Sequence, residues 1–209
     1  METGNVYQAL LKYGIIDTMK KNGIKRVFIC GIDNVLLKIV DPLFLGISIA
    51  NDSKVSSKTI FKEDPNDPEC VFGRINGHPT ILDFRYIAGT LSETTDEQGN
   101  YLYRELNVLS HLLTIDSIEK ASNLSLPYHR AYKKNIFIND EGMKQVPESN
   151  NSFKFETFIF DAFSYFEDLL LFRINNDEFA PIKDISGLNS PETATKLYVK
   201  HQLYKKIVD

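Results

Sequence analysis

Residues 26–42, RVFICGIDNVLLKIVDP, decide how the rest of the chain is read. Val27, Phe28, Ile29, Cys30 and Ile32 form a short, nearly unbroken apolar run, the pattern expected of a strand buried on both faces of a parallel sheet. The run stops at Asp33 and Asn34. In open α/β sheets ligands collect beyond the carboxyl ends of the strands, which sets a carboxylate and an amide at an expected ligand mouth. Both residue types are also turn formers, and these two residues taken alone read first as that. A second apolar run, 35–40, is broken only by Lys38 and leads to Asp41, which Pro42 forces into an extended conformation.

On the N-terminal side the spacing predicts a helix over 6–21, capped by Asn5 and ended by Asn22-Gly23, with Val6, Leu10, Ile16 and Met19 on its apolar face and Gly14 in its middle. Helix, turn and strand make one α/β unit, and a right-handed crossover calls for a strand before it. None precedes residue 6, so the fold is expected to be incomplete at its N-terminus. On the C-terminal side a short helix is expected over 42–50 and strands over 58–62 and 70–75. Asn76-Gly77 signals a hairpin that returns as a strand over 80–84. A turn at 96–100 leads to a strand over 101–104, then helices over 106–113 and 115–121. Residues 128–134 are basic and open between loop and short helix, and 139–152 read as loop. The aromatic stripe over 155–166 has helical spacing and is read as core, followed by a strand over 169–174. Ser190-Pro191-Glu192 opens a helix to about residue 207. Strand and helix signals alternate, so the class is α/β.

A chain of 209 residues, 43% hydrophobic and 25% charged, fits one globular domain. A net charge of -4 argues against nucleic acid as a partner. No apolar stretch is uninterrupted enough to span a membrane, and the first residues lack the pattern of a signal peptide. Cys30 and Cys70 form no disulfide framework, and the four histidines have no metal spacing, which points to a reducing, cytoplasmic compartment. The general signatures GxGxxG, Walker loop, HExxH and GxSxG are absent. What the sequence offers is a carboxylate at a strand end and dispersed lysines, among them Lys133, Lys134, Lys154 and Lys183. Phosphoryl transfer uses such groups to align reactants and neutralise charge, although each lysine taken alone reads as solvated surface.

Several blocks, taken together, resemble the eukaryotic UDP-N-acetylglucosamine pyrophosphorylases of the UDP-sugar pyrophosphorylase group. VYQALLKYGIID (6–17) is similar to the family's GGLYxAL…I helix, and GIKRVFICGIDNVLLKIVDPLFLG (23–46) to its GI…VDNxLVKVADPxFxG block. NVLSHLLT (107–114), YHRAYKK (128–134), KFETFIFDAF (154–163) and DEFAPIKD (177–184) resemble its Nxx(x)H, YHxAxKK, IKxExFIFDxF and EEFxPxKN segments in the same order. The resemblance covers almost the whole chain.

The resemblance implies a Rossmann-like nucleotidyltransferase fold, with a mixed, mostly parallel sheet flanked by helices, of which residues 1–209 form a single α/β domain carrying the sugar-phosphate-binding portion. It implies a Mg²⁺-dependent reaction of UTP with N-acetylglucosamine 1-phosphate, giving UDP-N-acetylglucosamine and pyrophosphate. Asp33 would face the metal and the nucleotide phosphates, Asn107 the acetamido side of the sugar, and Lys154 and Lys183 the phosphates. His111 is read as structural. The family's sugar-gripping EYSE stands here as DFRY, so Asp83 and Phe84 take its first two positions, with a shorter carboxylate stem and no hydroxyl. The glycine-rich nucleotide loop and the C-terminal β-rich domain of the family have no counterpart in these residues. A binding or scaffold module without turnover, or an enzyme for another hexose 1-phosphate, are the competing readings. A missing leading strand implies an open sheet edge and self-association through it.

Overall fold

A computed structural model describes residues 4–67, 69–83, 87 and 89–208. The predicted 6–21 helix is two helices, α1 (Asn5–Lys12) and α2 (Ile15–Lys21). Gly14 divides them at φ 65°, a conformation that L side chains adopt only at a cost. Gly4, not Asn5, stands at the boundary of α1; the Asn5 side chain instead accepts the Thr157 hydroxyl at 3.3 Å. Next come β1 (Arg26–Cys30), α3 (Pro42–Ala50), β2 (Val55–Phe61), β3 (Val71–Ile75), β4 (His78–Leu82), the short α4 (Thr90–Glu93), β5 (Glu105–Thr114) and α5 (Ile115–Ser122). The chain continues through β6 (His129–Lys133), β7 (Phe137–Ile138), β8 (Lys144–Gln145), β9 (Ser152–Glu156), a 3-10 helix at Ile159–Tyr165, β10 (Leu170–Arg173), a second at Asn176–Glu178, and α6 (Pro191–Val208).

The sheet runs β10-β2-β5-β3-β4, with β1 also paired to β5. It is mixed and flanked by helices, but it is not mostly parallel. Among the described residues only β10–β2 is parallel; β1–β5, β2–β5, β3–β4 and β3–β5 are antiparallel. β1 is therefore not a strand enclosed by parallel neighbours: it is paired along one edge, and its five residues are all half-buried.

The predicted helix over 106–113 is β5, the strand on which the others converge. Leu106, Val108, Leu109, Leu112 and Leu113 imitate helical spacing for two reasons. The strand is buried on both faces, and its period is interrupted. Between the pairs Thr59↔Asn107 and Ser57↔His111, β2 advances by 59 − 57 = 2 residues and β5 by 111 − 107 = 4. This bulge holds Leu109 at φ 49° and interrupts the alternation that would otherwise betray a strand. Smaller corrections follow the same logic. Residues 101–104 hold only a bridge from Tyr101 to Thr95, and 128–134 contain a strand, β6, paired with β9. The loop over 139–152 includes β8, paired with β7. The aromatic stripe splits into the end of β9, where Phe155 is exposed, and the first 3-10 helix, where Ile159, Ala162 and Phe163 are buried.

The main core lies between the sheet and a layer of α1, α2, α5 and the first 3-10 helix, with Tyr7, Ile16, Leu113, Ile118 and Phe163 at its centre. Tyr7 is fully buried and its hydroxyl donates to the Ile159 carbonyl at 3.0 Å. Asp41 caps α3 by accepting the Phe44 N–H and pairs with the buried Lys58 at 2.5 Å. Burial alone would raise its pKa, but the Lys58 and Phe44 hydrogen bonds hold it below the usual carboxylate value.

His111 sits in this core on β5 rather than on a helix face. Its Nδ1 is 2.7 Å from the Ser57 hydroxyl and its ring meets Phe163 edge-on, centroids 5.0 Å apart. Burial pushes its pKa down from 6.5 to about 3, so the imidazole is neutral when folded. A depressed folded pKa gives stability that is complete above about pH 6.5 and is lost as pH falls towards 3. Urea midpoints should therefore decline on acidification, with this group adding a slope of up to about 1.4 kcal/mol per pH unit. His111→Gln should flatten the decline; an unchanged slope would show that another group causes it.

Candidate active site

The site begins where β1 ends. The Gly31 N–H donates to the Leu109 carbonyl at 2.9 Å, joining the strand end to the bulge of β5. A Cβ on Gly31 would lie 2.6 Å from the Asp33 Oδ1 and 3.1 Å from a Leu109 methyl, so the glycine leaves the room in which the Asp33 carboxylate rests. Asn34 is buried and acts as a clamp. Its Oδ1 accepts the N–H groups of Leu36 (3.1 Å) and Ala180 (2.9 Å), and its Nδ2 donates to the Glu178 carbonyl (3.3 Å). The Ile182 N–H then donates to the Asp33 carbonyl at 2.9 Å. Asp33 is thus held by backbone against Ile182, the neighbour of Lys183, although Asp33 and Lys183 are 150 residues apart in sequence.

A cavity of about 660 Å³ opens where β1 and β3 diverge from the same edge of β5. Asp33, Asp83, Asn107 and Lys183 all line it. Phe84 lies outside the described residues. Lys154 is not among the lining residues. β9 places it opposite Ala131, on the ribbon face that carries His129 but about 7 Å further along the strand, and its ammonium turns back to Glu156. Of the two lysines that the resemblance implies at the phosphates, only Lys183 lines this cavity.

Asn107 has two duties. Its Oδ1 accepts the Leu109 N–H at 3.0 Å and so holds the bulge, which leaves the amide Nδ2 as the donor available to a ligand. His129, Asp161 and Glu69 were not singled out by sequence reasoning, and Phe158 was read only as core. His129 Nε2 is 3.0 Å from both Asp161 oxygens, Asp161 also accepts the Phe158 N–H at 2.8 Å, and the His129 ring packs on Phe158 with centroids 4.6 Å apart. Phe158 in turn stacks on Phe160, giving the cavity an aromatic wall. His129 and Asp161 fall inside the YHRAYKK and FIFD blocks, the one sequence signal that could have found them. Glu69 accepts two hydrogen bonds from Lys183, at 2.6 and 2.7 Å, and had no signal.

Among the described residues no group of three or more His, Cys, Asp or Glu could cage a metal. Magnesium typically takes one or two carboxylates and completes its shell with phosphate oxygens and water. Asp33 in the wall of an open cavity fits that mode and no richer one.

Because Asn107 serves both bulge and cavity, its variants should separate the two. Asn107→Ala leaves the Leu109 N–H without its acceptor and should cost about 1–3 kcal/mol of stability. Asn107→Asp keeps the acceptor, loses the donor, and should stay closer to wild type in denaturant midpoint. Equal destabilisation by both would exclude the bulge-holding role.

The chain is similar to a probable UDP-N-acetylglucosamine pyrophosphorylase of Caenorhabditis elegans, 29% identical over 90% of this chain and 39% of the relative. A candidate UDP-N-acetylglucosamine pyrophosphorylase of Entamoeba histolytica matches 96% of this chain and 51% of its own at a TM-score of 0.88 and 25% identity. The UDP-N-acetylglucosamine pyrophosphorylase of Trypanosoma brucei, solved with an inhibitor, matches 88% and 36% at a TM-score of 0.73 and 25% identity. The chain spans about two fifths of the length of the curated relatives it matches. The model for UTP--glucose-1-phosphate uridylyltransferase matches residues 2–207, almost the full sequence, and the chain belongs to that family.

Proposed function

We propose that this chain supplies the sugar-phosphate side of a uridylyltransferase that joins UTP and N-acetylglucosamine 1-phosphate, releasing pyrophosphate and UDP-N-acetylglucosamine. The observation that carries the reading is the backbone hydrogen bond from Ile182 to Asp33, which brings Asp33 and the residue after Ile182, Lys183, to one cavity that Asn107 also lines. In this reading Lys183 offsets the negative charge of the phosphoryl group during attack. Asp33 faces the metal and the phosphates; Mg²⁺, when bound there, would neutralise phosphate oxygens that protein groups alone leave charged. The Asn107 amide donates to the acetamido carbonyl, and Phe158 and Phe160 offer an apolar face to the sugar. Asp83 accepts from a sugar hydroxyl. Lys154, turned towards Glu156, would serve only if the nucleotide drew it across. Cys30 and Cys70 form no disulfide with each other, and we read the setting as reducing and cytoplasmic.

A second reading, a sugar-nucleotide-binding module that does not turn over, draws support from Lys183 being already neutralised by Glu69. Activity towards another hexose 1-phosphate draws support from the shorter Asp83 carboxylate.

Calorimetric titration with UDP-N-acetylglucosamine, with and without Mg²⁺, tests the first reading. Mg²⁺ should tighten binding, and Asp33→Asn should remove that increment while the protein stays folded. An undiminished Mg²⁺ effect in Asp33→Asn would eliminate its role, and a preference for UDP-glucose would move the substrate to the other hexose. The outer edge of β1 pairs with no strand among the described residues, and we propose self-association along it. Sedimentation should show a dimer or larger species that Phe28→Pro disperses; a wild-type monomer at all concentrations would refute the association.

A further inference from the structure

We propose that Glu69 is an internal counter-anion that occupies Lys183 until a phosphate displaces it, and so sets which ligands the cavity admits. The inference rests on the reading of Lys183 as the phosphate-binding group. Both Glu69 oxygens bind the Lys183 ammonium, at 2.6 and 2.7 Å, and both residues line the cavity. The Glu69 side chain is only 16% exposed, so the pair is partly shielded from water and the attraction is less screened than at an open surface.

Lys183 is not free to take its charge elsewhere. Its N–H donates to the Asn189 carbonyl at 2.8 Å, its neighbour Ile182 is tied to Asp33, and the ammonium lies 5.7 Å from the centroid of the Phe179 ring. A phosphate that binds here must therefore take the lysine from Glu69 in place. His129 cannot substitute while Asp161 holds its Nε2. Asp33, also in the wall, raises the threshold further, because its carboxylate repels an anion that Lys183 has not yet been released to receive. A phosphomonoester with close to two negative charges can outcompete a carboxylate for one ammonium; a neutral sugar has nothing to gain from the exchange. Glu69 thus selects among anions: one too weakly charged to displace it is shut out, a phosphomonoester loses part of its affinity, and a neutral sugar is unaffected.

The test is calorimetry on the 209-residue chain with N-acetylglucosamine 1-phosphate, inorganic phosphate and N-acetylglucosamine. Glu69→Gln should bind the two phosphates about five- to tenfold more tightly than wild type and leave affinity for the free sugar unchanged. In the Lys183→Met background the same substitution should change nothing, which a merely structural role for Glu69 would not produce. If Glu69→Gln and wild type bind the sugar phosphate equally, the counter-anion role is overturned while the functional reading stands. If Glu69→Gln gains affinity for inorganic phosphate but neither protein binds the sugar phosphate, Glu69 acts as proposed and the sugar reading falls. A gain that persists without Lys183, or no phosphate binding by any variant, overturns the proposal.

Discussion

The buried amide of Asn34 is the constraint on which the site depends. One side chain accepts from Ala180 and Leu36 and donates to the Glu178 carbonyl, so the end of β1 and the segment after the second 3-10 helix are held as one piece. Each of those backbone groups is near the interior, where an unmet hydrogen bond costs on the order of 1–3 kcal/mol. The clamp is strong for that reason, and short enough to hold Asp33 opposite Ile182 and so to bring Asp33 and Lys183 to one cavity. Asn34 had looked like a turn former or a ligand group; its hydrogen bonds are spent on the fold, and Asp33 faces the cavity.

The same economy governs β5. The bulge that misplaces its hydrophobic period also creates the site, because the strand can pair with β1 beyond the bulge and with β3 before it. Asn107 and Gly31 hold the bulge from its two ends, through the Leu109 N–H and carbonyl respectively. A regular strand would pair along its whole edge and leave no opening. The irregularity is thus a structural requirement of the cavity, in keeping with the tendency of bulges to lie beside active sites.

Charge in the cavity is nearly all committed. Lys183 is bound to Glu69 and His129 to Asp161, while Asp33 lies over Gly31. A site arranged this way is ordered before ligand arrives, which limits the reorganisation needed on binding. It also means that an incoming anion exchanges partners with groups already paired instead of filling an empty positive pocket.

Much of this was legible in the residues. The Arg26–Cys30 strand, the Asn76-Gly77 hairpin, the Pro42 and Pro191 helix starts and the family blocks all rest on local chemistry: strand apolarity, positive-φ turn residues and proline at the first helical turn. Asp33 and Lys183 could be named because their blocks are distinctive. What the residues by themselves determined was the α/β class, the family likeness and the inventory of groups that could do chemistry. Strand direction, the identity of β5 as the central strand, the withdrawal of Lys154 to Glu156 and the pairing of Lys183 with Glu69 came only with the tertiary structure. All but the local Lys154–Glu156 pair depend on hydrogen bonds between residues far apart, 114 in the case of Lys183 and Glu69, and such contacts leave no periodic trace along the chain.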